Sequence, residues 1–103
     1  MNVQKLMKEA QRAQKKMAEA QERLAHMTVE GTAGGGLVRV TATGDGSVTA
    51  VAIDPSAVDT EDLSLLEDLV TAAVADAQRR SRELQESEMG SAVGGLGGMP
   101  GLF

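Results

Sequence analysis

Residues 1–27 read MNVQKLMKEAQRAQKKMAEAQERLAHM, and their apolar side chains recur at alternating spacings of three and four. We call these residues the apolar seam: Val3, Leu6, Ala10, Ala13, Met17, Ala20, Leu24 and Met27. The spacing is the a/d pattern of a coiled-coil helix, uninterrupted by Pro or Gly. Such a helix would be roughly 40 Å long, whereas a globule of this chain length is only about 26 Å across. The stretch therefore predicts a helix that projects from the body or lies along a partner.

The rest of the chain offers little material for a core. Hydrophobic residues make up 42% of the 103 residues, but Phe103 is the only aromatic one and there is no cysteine. Small side chains bury little area each, so we expect a single domain that is stable as an obligate oligomer. The missing cysteines exclude disulfides and thiolate metal sites. We find no signal-peptide or membrane-spanning pattern, so the sequence predicts a soluble, cytoplasmic protein.

Charge is distributed unevenly along the chain, whose net charge is −5. Residues 1–30 hold six bases and four acids, whereas residues 31–103 hold four bases and eleven acids. The long helix is therefore basic and the remainder acidic. This balance disfavours general polyanion binding but leaves room for a local basic surface.

Four bases of the long helix fall in one row away from the apolar seam, and a fifth lies beside them. We call these five residues the basic row: Lys5, Lys8, Arg12, Lys15 and Lys16. The row covers roughly 15 Å and suits contacts along a phosphate backbone, and it continues with reversed sign as Glu19 and Glu22. An ordinary solvated surface with Lys5/Glu9 and Lys15/Glu19 ion pairs explains the same residues.

Arg79, Arg80 and Arg82 form a second basic cluster, near the end of a predicted second helix. They are the weaker candidates for contacts with phosphates. Bases at the C-terminal end of a helix also compensate the helix dipole, which is the alternative explanation for this cluster.

Residues 28–53 change to a two-residue period, which is typical of strands. We predict strands over 28–32, 37–43 and 48–53, joined by turns at Gly34–Gly36 and Gly44–Gly46. Alternation places Val38, Val40 and Ala42 on one face of the second strand. In the third strand it places Val48 opposite Val51 and Ile53, and we expect both faces of that strand to be at least partly covered.

A second helix is predicted to run to about Met89, where Gly90 offers a C-terminal stop. Its start is left open between a cap at Asp59 or Thr60 and a capping box at Ser64 and Glu67. Its predicted apolar face contains Leu66, Leu69, Val70, Ala73, Val74, Ala77 and Leu84. Residues 1–89 thus form one α+β domain of order α-β-β-β-α with a three-stranded antiparallel meander. Residues 90–103 are Gly-rich and are predicted to be a flexible tail.

The sequence contains no recognisable catalytic constellation. His26, the only histidine, falls on a solvated helix position. The glycines of 31–36 join strand to strand, whereas a phosphate loop joins a strand to a helix. An acidic group that resembles a Mg²⁺ site is better explained by turns and caps: Asp54, Asp59, Glu61 and Asp62. We expect no enzyme activity, catalytic residue, cofactor, metal or small-molecule substrate. A metal-dependent nuclease is the least favoured of the three functional hypotheses; the other two are given below.

Several motifs occur in order along nearly the whole chain. They are the Gln/Lys-rich helix around Met7, Gln14 and Met17; Gly36-Leu-Val-Arg-Val40; Ile53-Asp-Pro55; Leu66-Glu-Asp-Leu-Val70 with Ala72, Ala73 and Ala77; and Met99-Pro-Gly-Leu-Phe103. In this combination the chain resembles the YbaB/EbfC family of bacterial nucleoid-associated DNA-binding proteins. The resemblance implies an intertwined, tweezer-like homodimer of α-β-β-β-α protomers whose projecting helices contact DNA. It also implies a cytoplasmic, nucleoid-associated protein.

Residues and resemblance together predict a homodimer that binds double-stranded DNA and bends, bridges or coats it. The predicted DNA-binding residues are Lys5, Lys8, Arg12, Lys15, Lys16, Arg79, Arg80 and Arg82. The alternative is a protein-interaction module, associated with recombination or replication factors, in which the coiled-coil helix pairs with another protein.

Overall fold

A computed structural model describes residues 2–92 and has the predicted α-β-β-β-α order. Its elements are α1 (Val3–His26), β1 (Thr28–Ala33), β2 (Val38–Thr43), β3 (Val48–Ile53), a single 3₁₀ turn (Pro55–Ala57) and α2 (Ser64–Ala92). The strands form one antiparallel sheet in the order β1-β2-β3. The fold measures 71 × 25 × 16 Å, an elongation that agrees with the prediction of a projecting helix. Within residues 2–92, no helix is both long enough and apolar enough to cross a bilayer.

Helix α1 begins at a side-chain cap and ends where the sequence period changes. The side chain of Asn2 accepts a hydrogen bond from the backbone N–H of Lys5 at 3.2 Å, which satisfies one of the unpaired donors of the first turn. At the other end Met27 has extended backbone angles and leads directly into β1. The helix therefore occupies almost the whole predicted stretch.

The core lies between β2 and α2, as predicted. Val38, Val40 and Ala42 of β2 are fully buried together with Ala73 and Ala77 of α2. Partly buried apolar side chains surround this cluster: Val29, Ala33, Leu66, Leu69, Val70 and Val74. The predicted face of β2 and most of the predicted face of α2 are thus confirmed as the packing surfaces of the domain.

The backbones of β1 and α2 are in direct contact at Gly31. A Cβ atom on Gly31 would lie 2.2 Å from the backbone N of Ala77 and 2.4 Å from the carbonyl oxygen of Ala73. Next to this contact, the backbone N–H of Thr32 donates to the carboxylate of Asp76 at 2.9 Å. Helix α2 therefore packs directly on the face of β1, and its Asp76 satisfies one unpaired donor at the outer edge of that strand.

The opposite edge strand, β3, differs from the prediction because the pairing of β2 with β3 contains a bulge. Ile53 pairs with Val38 and Val51 with Val40, but Ala42 pairs with Val48, and the register shifts between Thr41 and Ala42. A bulge adds one residue and so reverses the alternation of the residues beyond it. The prediction that Val48 lies opposite Val51 is therefore wrong.

Residues 2–92 leave both faces of β3 exposed, contrary to the expectation of partial cover on both. All six residues of the strand are exposed. Val48, Val51 and Ile53 share the face that is buried on β2, yet they are 41%, 46% and 42% exposed. Helix α2 lies mainly over β1 and β2, so the core face of the sheet is left open at its third strand.

Helix α2 begins at the later of the two predicted starts and ends beyond the predicted stop. It begins at Ser64, whose N–H and hydroxyl both donate to the carboxylate of Asp62 at 3.0 and 2.6 Å. The side chain that binds the first turn of α2 is thus that of Asp62, and not one of the two caps that the sequence predicted. At the other end the helix continues through Gly90 to Ala92, so the stop predicted at Gly90 is wrong. A single Gly weakens a helix by only about 1 kcal/mol, which neighbouring turns can offset. The predicted tail from Val93 onward lies outside the described residues.

Gly31→Ala is expected to destabilise the domain. The new methyl group would overlap the backbone of α2, which cannot rotate away as a side chain could, and overpacking of this kind costs about 3 kcal/mol. The free energy of unfolding in urea, followed by circular dichroism, measures the loss. Gly90→Ala is the matched control: nothing lies within 4 Å of its Cβ position, and helical Ala should raise stability by about 1 kcal/mol. Equal stability of the Gly31 variant and the parent would contradict the close contact.

Candidate nucleic-acid interface

Helix α1 has two halves with different surroundings. In the C-terminal half, Ala20 and Leu24 of the apolar seam are buried, at 0% and 3% exposure, against the body and α2. An ion pair of 3.1 Å between Arg23 and Glu88 joins the two helices at this level. In the N-terminal half, Val3 and Leu6 are 59% and 51% exposed. We call residues 3–17 the arm, because this part of α1 extends beyond the packed body.

The basic row lies entirely on the arm and on the side away from the apolar seam. All five of its side chains are exposed. At about 100° per residue, the centre of the row is roughly 140° around the helix from the centre of the seam. The row can therefore face a ligand while the seam faces something else.

None of the five bases is paired with an acid in the part of the chain that the structure describes. The Lys5/Glu9 and Lys15/Glu19 ion pairs, offered by the sequence as an alternative explanation, are absent among these residues. Glu9 is the one acid on the arm, against five bases. The arm consequently carries a concentrated positive charge that no ion pair among residues 2–92 neutralises.

The second basic cluster is arranged quite differently. Arg79 donates to Asp76 and to Glu83, each at 2.7 Å, and Arg80 donates to Asp76 at 3.2 Å. Two of the three predicted arginines are thus held by carboxylates of their own helix. Arg82 is exposed and has no such contact within residues 2–92.

The structure does not bring the two basic clusters together. Leu24 and Gln85 both contact Gly44, and Arg23, earlier in α1, contacts Glu88, later in α2, so the helices run antiparallel at this level. Lys16 lies seven residues from Arg23 towards the tip of the arm, and Arg82, the nearest member of the second cluster, lies six residues from Glu88 in the other direction. At about 1.5 Å per residue, the clusters are roughly 20 Å apart along the helix axes. The basic row alone forms a continuous candidate surface.

Asp76 is the centre of the arginine cluster. It accepts the N–H of Thr32 as well as the two guanidinium donors, and its side chain is only 19% exposed. The backbone hydrogen bond from Thr32, followed by the hydrogen bond from Arg79, lowers the pKa of Asp76 to about 2. Asp76 in turn raises the pKa of Arg79. The cluster fastens α2 to the edge of β1, which is a structural role.

The remaining candidates do not form a site. His26 is exposed at the end of α1, and the glycines of 34–36 join β1 to β2 with positive φ values. Asp54 and Asp59 accept backbone N–H groups of the residues two positions further along, as turn residues do. Across residues 2–92, no three His, Cys, Asp or Glu side chains lie close enough to hold a metal ion.

The sequence contained an overlooked signal for the arginine cluster. Asp76 stands three and four residues before Arg79 and Arg80, and Glu83 stands four residues after Arg79. These are the spacings of side chains that meet on a helix surface. The pair of Arg23 with Glu88 left no such signal, because it joins residues far apart in the chain.

Comparisons with known proteins agree with this architecture. The family model of the YbaB/EbfC DNA-binding family matches residues 1–96. A nucleoid-associated protein of Saccharopolyspora erythraea is 50% identical over 101 residues, covering 98% of this chain and 87% of the relative. One from Ruminiclostridium cellulolyticum is 44% identical over 102 residues, covering 99% and 89%. The crystal structure of an uncharacterized protein from Helicobacter pylori, 22% identical, has the same fold with a TM-score of 0.73 over 84% of this chain and 91% of that one.

Acid is expected to weaken the domain through Asp76. Its pKa is depressed in the folded state, so the carboxylate stabilises the fold above about pH 4 and loses that effect as pH falls towards 2. Asp76→Asn should lower the urea midpoint at pH 7 and reduce its change between pH 4 and pH 2. Asp68→Asn, at an exposed position on the same helix, is the control. The interpretation fails if Asp76→Asn and the parent lose stability equally over that pH range.

Proposed function

Because the chain belongs to the YbaB/EbfC DNA-binding family, we propose that it is a homodimeric, nucleoid-associated protein that binds double-stranded DNA through the phosphate backbone. The basic row of each arm makes the contacts. One observation carries the proposal: five exposed bases, without acidic partners in the part of the chain that the structure describes, are aligned on the part of α1 that extends from the body.

The dimensions of the basic row suit a duplex. Lys5 to Lys16 cover about 16 Å of helix axis, a length over which B-DNA presents roughly ten phosphates. Lys and Arg side chains of an exposed helix reach these phosphates without entering a groove. Binding of this kind depends on charge and carries little sequence information.

The remainder of the chain favours the same mode of binding. Residues 31–103 carry eleven acids against four bases, so repulsion keeps a duplex on the arm and away from the body. Phe103 is the only aromatic residue, and binding of single strands relies on aromatic side chains that stack with bases. Duplex DNA is therefore the ligand we propose.

We place the dimer contact at β3. At the edge of β1, Asp76 of α2 occupies the N–H of Thr32, and Glu30 adds a charge to that strand, whereas β3 presents six exposed residues without a single charge or proline. Long, uncharged edge strands are rare on monomers because they pair with other chains. Pairing of β3 with β3 of a second copy is self-complementary about a twofold axis. The partner would also cover Val48, Val51 and Ile53.

A dimer presents two arms, and this is what the proposed function requires. One basic row offers few phosphate contacts, whereas two joined rows bind with an affinity raised by their linkage. Two arms from one body can hold a bent duplex or bridge two duplexes. We propose that the protein binds DNA in this way in the cytoplasm, at the nucleoid.

Replacing Lys8, Arg12 and Lys15 together by Ala is expected to weaken duplex binding and its dependence on salt. Each lost phosphate contact lowers the log–log salt slope by about 0.9, so three contacts lower it by about 2.7 per arm. Gel-shift titrations of duplex DNA over a salt series measure the affinity and the slope. The matched control replaces Gln4, Gln11 and Gln14, three uncharged residues of the same arm, by Ala.

An unchanged slope in the triple Lys/Arg variant, with the dimer intact by sedimentation, would refute the arm as the DNA site. The same gel-shift measurement distinguishes DNA binding from the alternative function, a protein-interaction module. If the coiled-coil helix instead serves a partner protein, duplex affinity is low in the parent as well, and the basic row is dispensable for binding that partner.

Val51→Lys is expected to dissociate the dimer into monomers. The change places a charge on the face of β3 that the second copy would cover, where desolvating an unpaired ammonium is unfavourable. Sedimentation velocity over a concentration series measures the monomer fraction. Val3→Lys, the same substitution at an exposed valine of the arm, should leave the dimer intact. A dimer that persists in Val51→Lys would place the contact elsewhere.

A further inference from the structure

The exposed half of the apolar seam has no use in the function proposed above, which places DNA on the other side of the arm. Val3 and Leu6 are more than half exposed and Met17 is 36% exposed, although they continue the line of the buried residues Ala20 and Leu24. Heptad spacing of apolar residues on an exposed helix is typical of a surface that pairs with a second helix. The arm therefore has the surface of one half of a helix pair.

The charges beside the seam distinguish between the possible directions of a second helix. In the heptad that begins with Val3 at position a, Glu9 and Lys16 occupy the two g positions of the arm. Residues at g border the seam and face the partner helix, where opposite charges set its orientation. A parallel copy brings g positions beside e positions, which hold the uncharged Gln14 and Gln21. An antiparallel copy brings g beside g, so that Glu9 can face Lys16 of the second copy.

Only one antiparallel register gives opposite charges along the arm. The heptads allow the second helix to shift in steps of seven residues. One step in either direction brings Glu9 beside Glu9 or Lys16 beside Lys16, whereas the middle register pairs Glu9 with Lys16 twice, once on each side of a twofold axis. In the middle register Leu6 packs on Met17 of the second copy, and only alanines lie between these outer layers.

We propose that the arm pairs antiparallel with the arm of a second copy in this middle register, centred between residues 11 and 12. Val3 at the tip then reaches the level of Ala20, where the body of the second copy begins, so the register uses the whole exposed length of the arm. Glu9, which has no ion pair among residues 2–92 of its own chain, gains one. The helices overlap over about 26 Å, so the contact is small and weaker than an obligate interface.

Pairing leaves the outward part of the basic row exposed. Lys5, Lys8, Arg12 and Lys15 occupy c and f positions, which point away from the partner in a helix pair. Two paired arms therefore carry twice the outward bases of a single arm, side by side. Only this consequence for DNA rests on the function proposed above; the pairing itself does not.

Cysteine pairing tests the direction and register in the full chain, which has no cysteine of its own. Leu6→Cys protein and Met17→Cys protein are mixed in equal amounts and oxidised with diamide, which takes up the electrons and protons of the thiols. In the proposed register these two cysteines lie in one layer, whereas identical cysteines of two copies are roughly 16 Å apart along the axis. We expect the mixed disulfide to form ~10-fold faster than either homodisulfide, because only its cysteines are within bridging distance.

The control mixes Lys8→Cys protein with Lys15→Cys protein. These positions lie level with each other in the same register but point away from the second helix, so their mixed disulfide should have no such advantage. An excess of homodisulfides in the Leu6→Cys and Met17→Cys mixture would indicate a parallel pair. Equal rates in the test and control mixtures would assign the seam to something other than a second copy. Either result would overturn the proposal.

A charge exchange tests the two ion pairs. Glu9→Lys or Lys16→Glu, added to both cysteine variants, places like charges on each side of the seam and should slow the mixed disulfide by ~10-fold. Glu9→Lys and Lys16→Glu in the same chain bring opposite charges together again and should restore the rate. Lys8→Glu, the same change of charge at an outward position, should leave the rate unchanged.

A combined charge variant that stays as slow as the single variants would contradict the register. Neither experiment contains DNA, so a failure of the arm pairing is distinguishable from a failure of the DNA-binding proposal.

Discussion

At Gly31 the backbone of β1 lies against the backbone of α2, at a separation that leaves no space for a side chain. This close contact fixes the position of α2 on the sheet, over β1 and β2. It brings Ala73 and Ala77 over Val40 and its neighbours, and it places Asp76 where its carboxylate meets the N–H of Thr32. The small residues of α2 are thus a condition for the packing, because larger ones would separate helix and strand.

The position of α2 has two consequences, at opposite ends of the domain. Over the sheet, the helix covers β1 and β2 and leaves Val48, Val51 and Ile53 of β3 half exposed. Beyond the sheet, it continues along α1 and buries Ala20 and Leu24, so that only the first half of α1 extends as an arm. One helix therefore defines both the surface available to a second copy and the surface available to a polyanion.

Charge follows the same division. The arm has five bases and one acid, and none of the bases is paired within the described residues. On α2, by contrast, carboxylates hold Arg79 and Arg80 in place. Residue type alone makes the two clusters look alike. Their neighbours distinguish them: an arginine between two carboxylates is part of the scaffold, whereas a lysine without an acidic partner can exchange its counterions for phosphates.

The sequence by itself determined the order of the elements, the buried face of β2, the apolar face of α2 and the basic row, because each follows from local periodicity. The bounds of α1 and β3 agreed closely with prediction for the same reason. Only the tertiary structure decided the rest. The bulge that moves Val48 to the core face arises from the register between β2 and β3. Helix α2 continues through Gly90 because the stability of the whole helix outweighs the cost of one glycine. The division of α1 into a buried half and an arm depends on the packing of Ala20 and Leu24 against the body and α2, at the level where Arg23 meets Glu88 across 65 residues of chain. Contacts between residues so distant in sequence leave no periodic signal, since they exist only once the chain has folded.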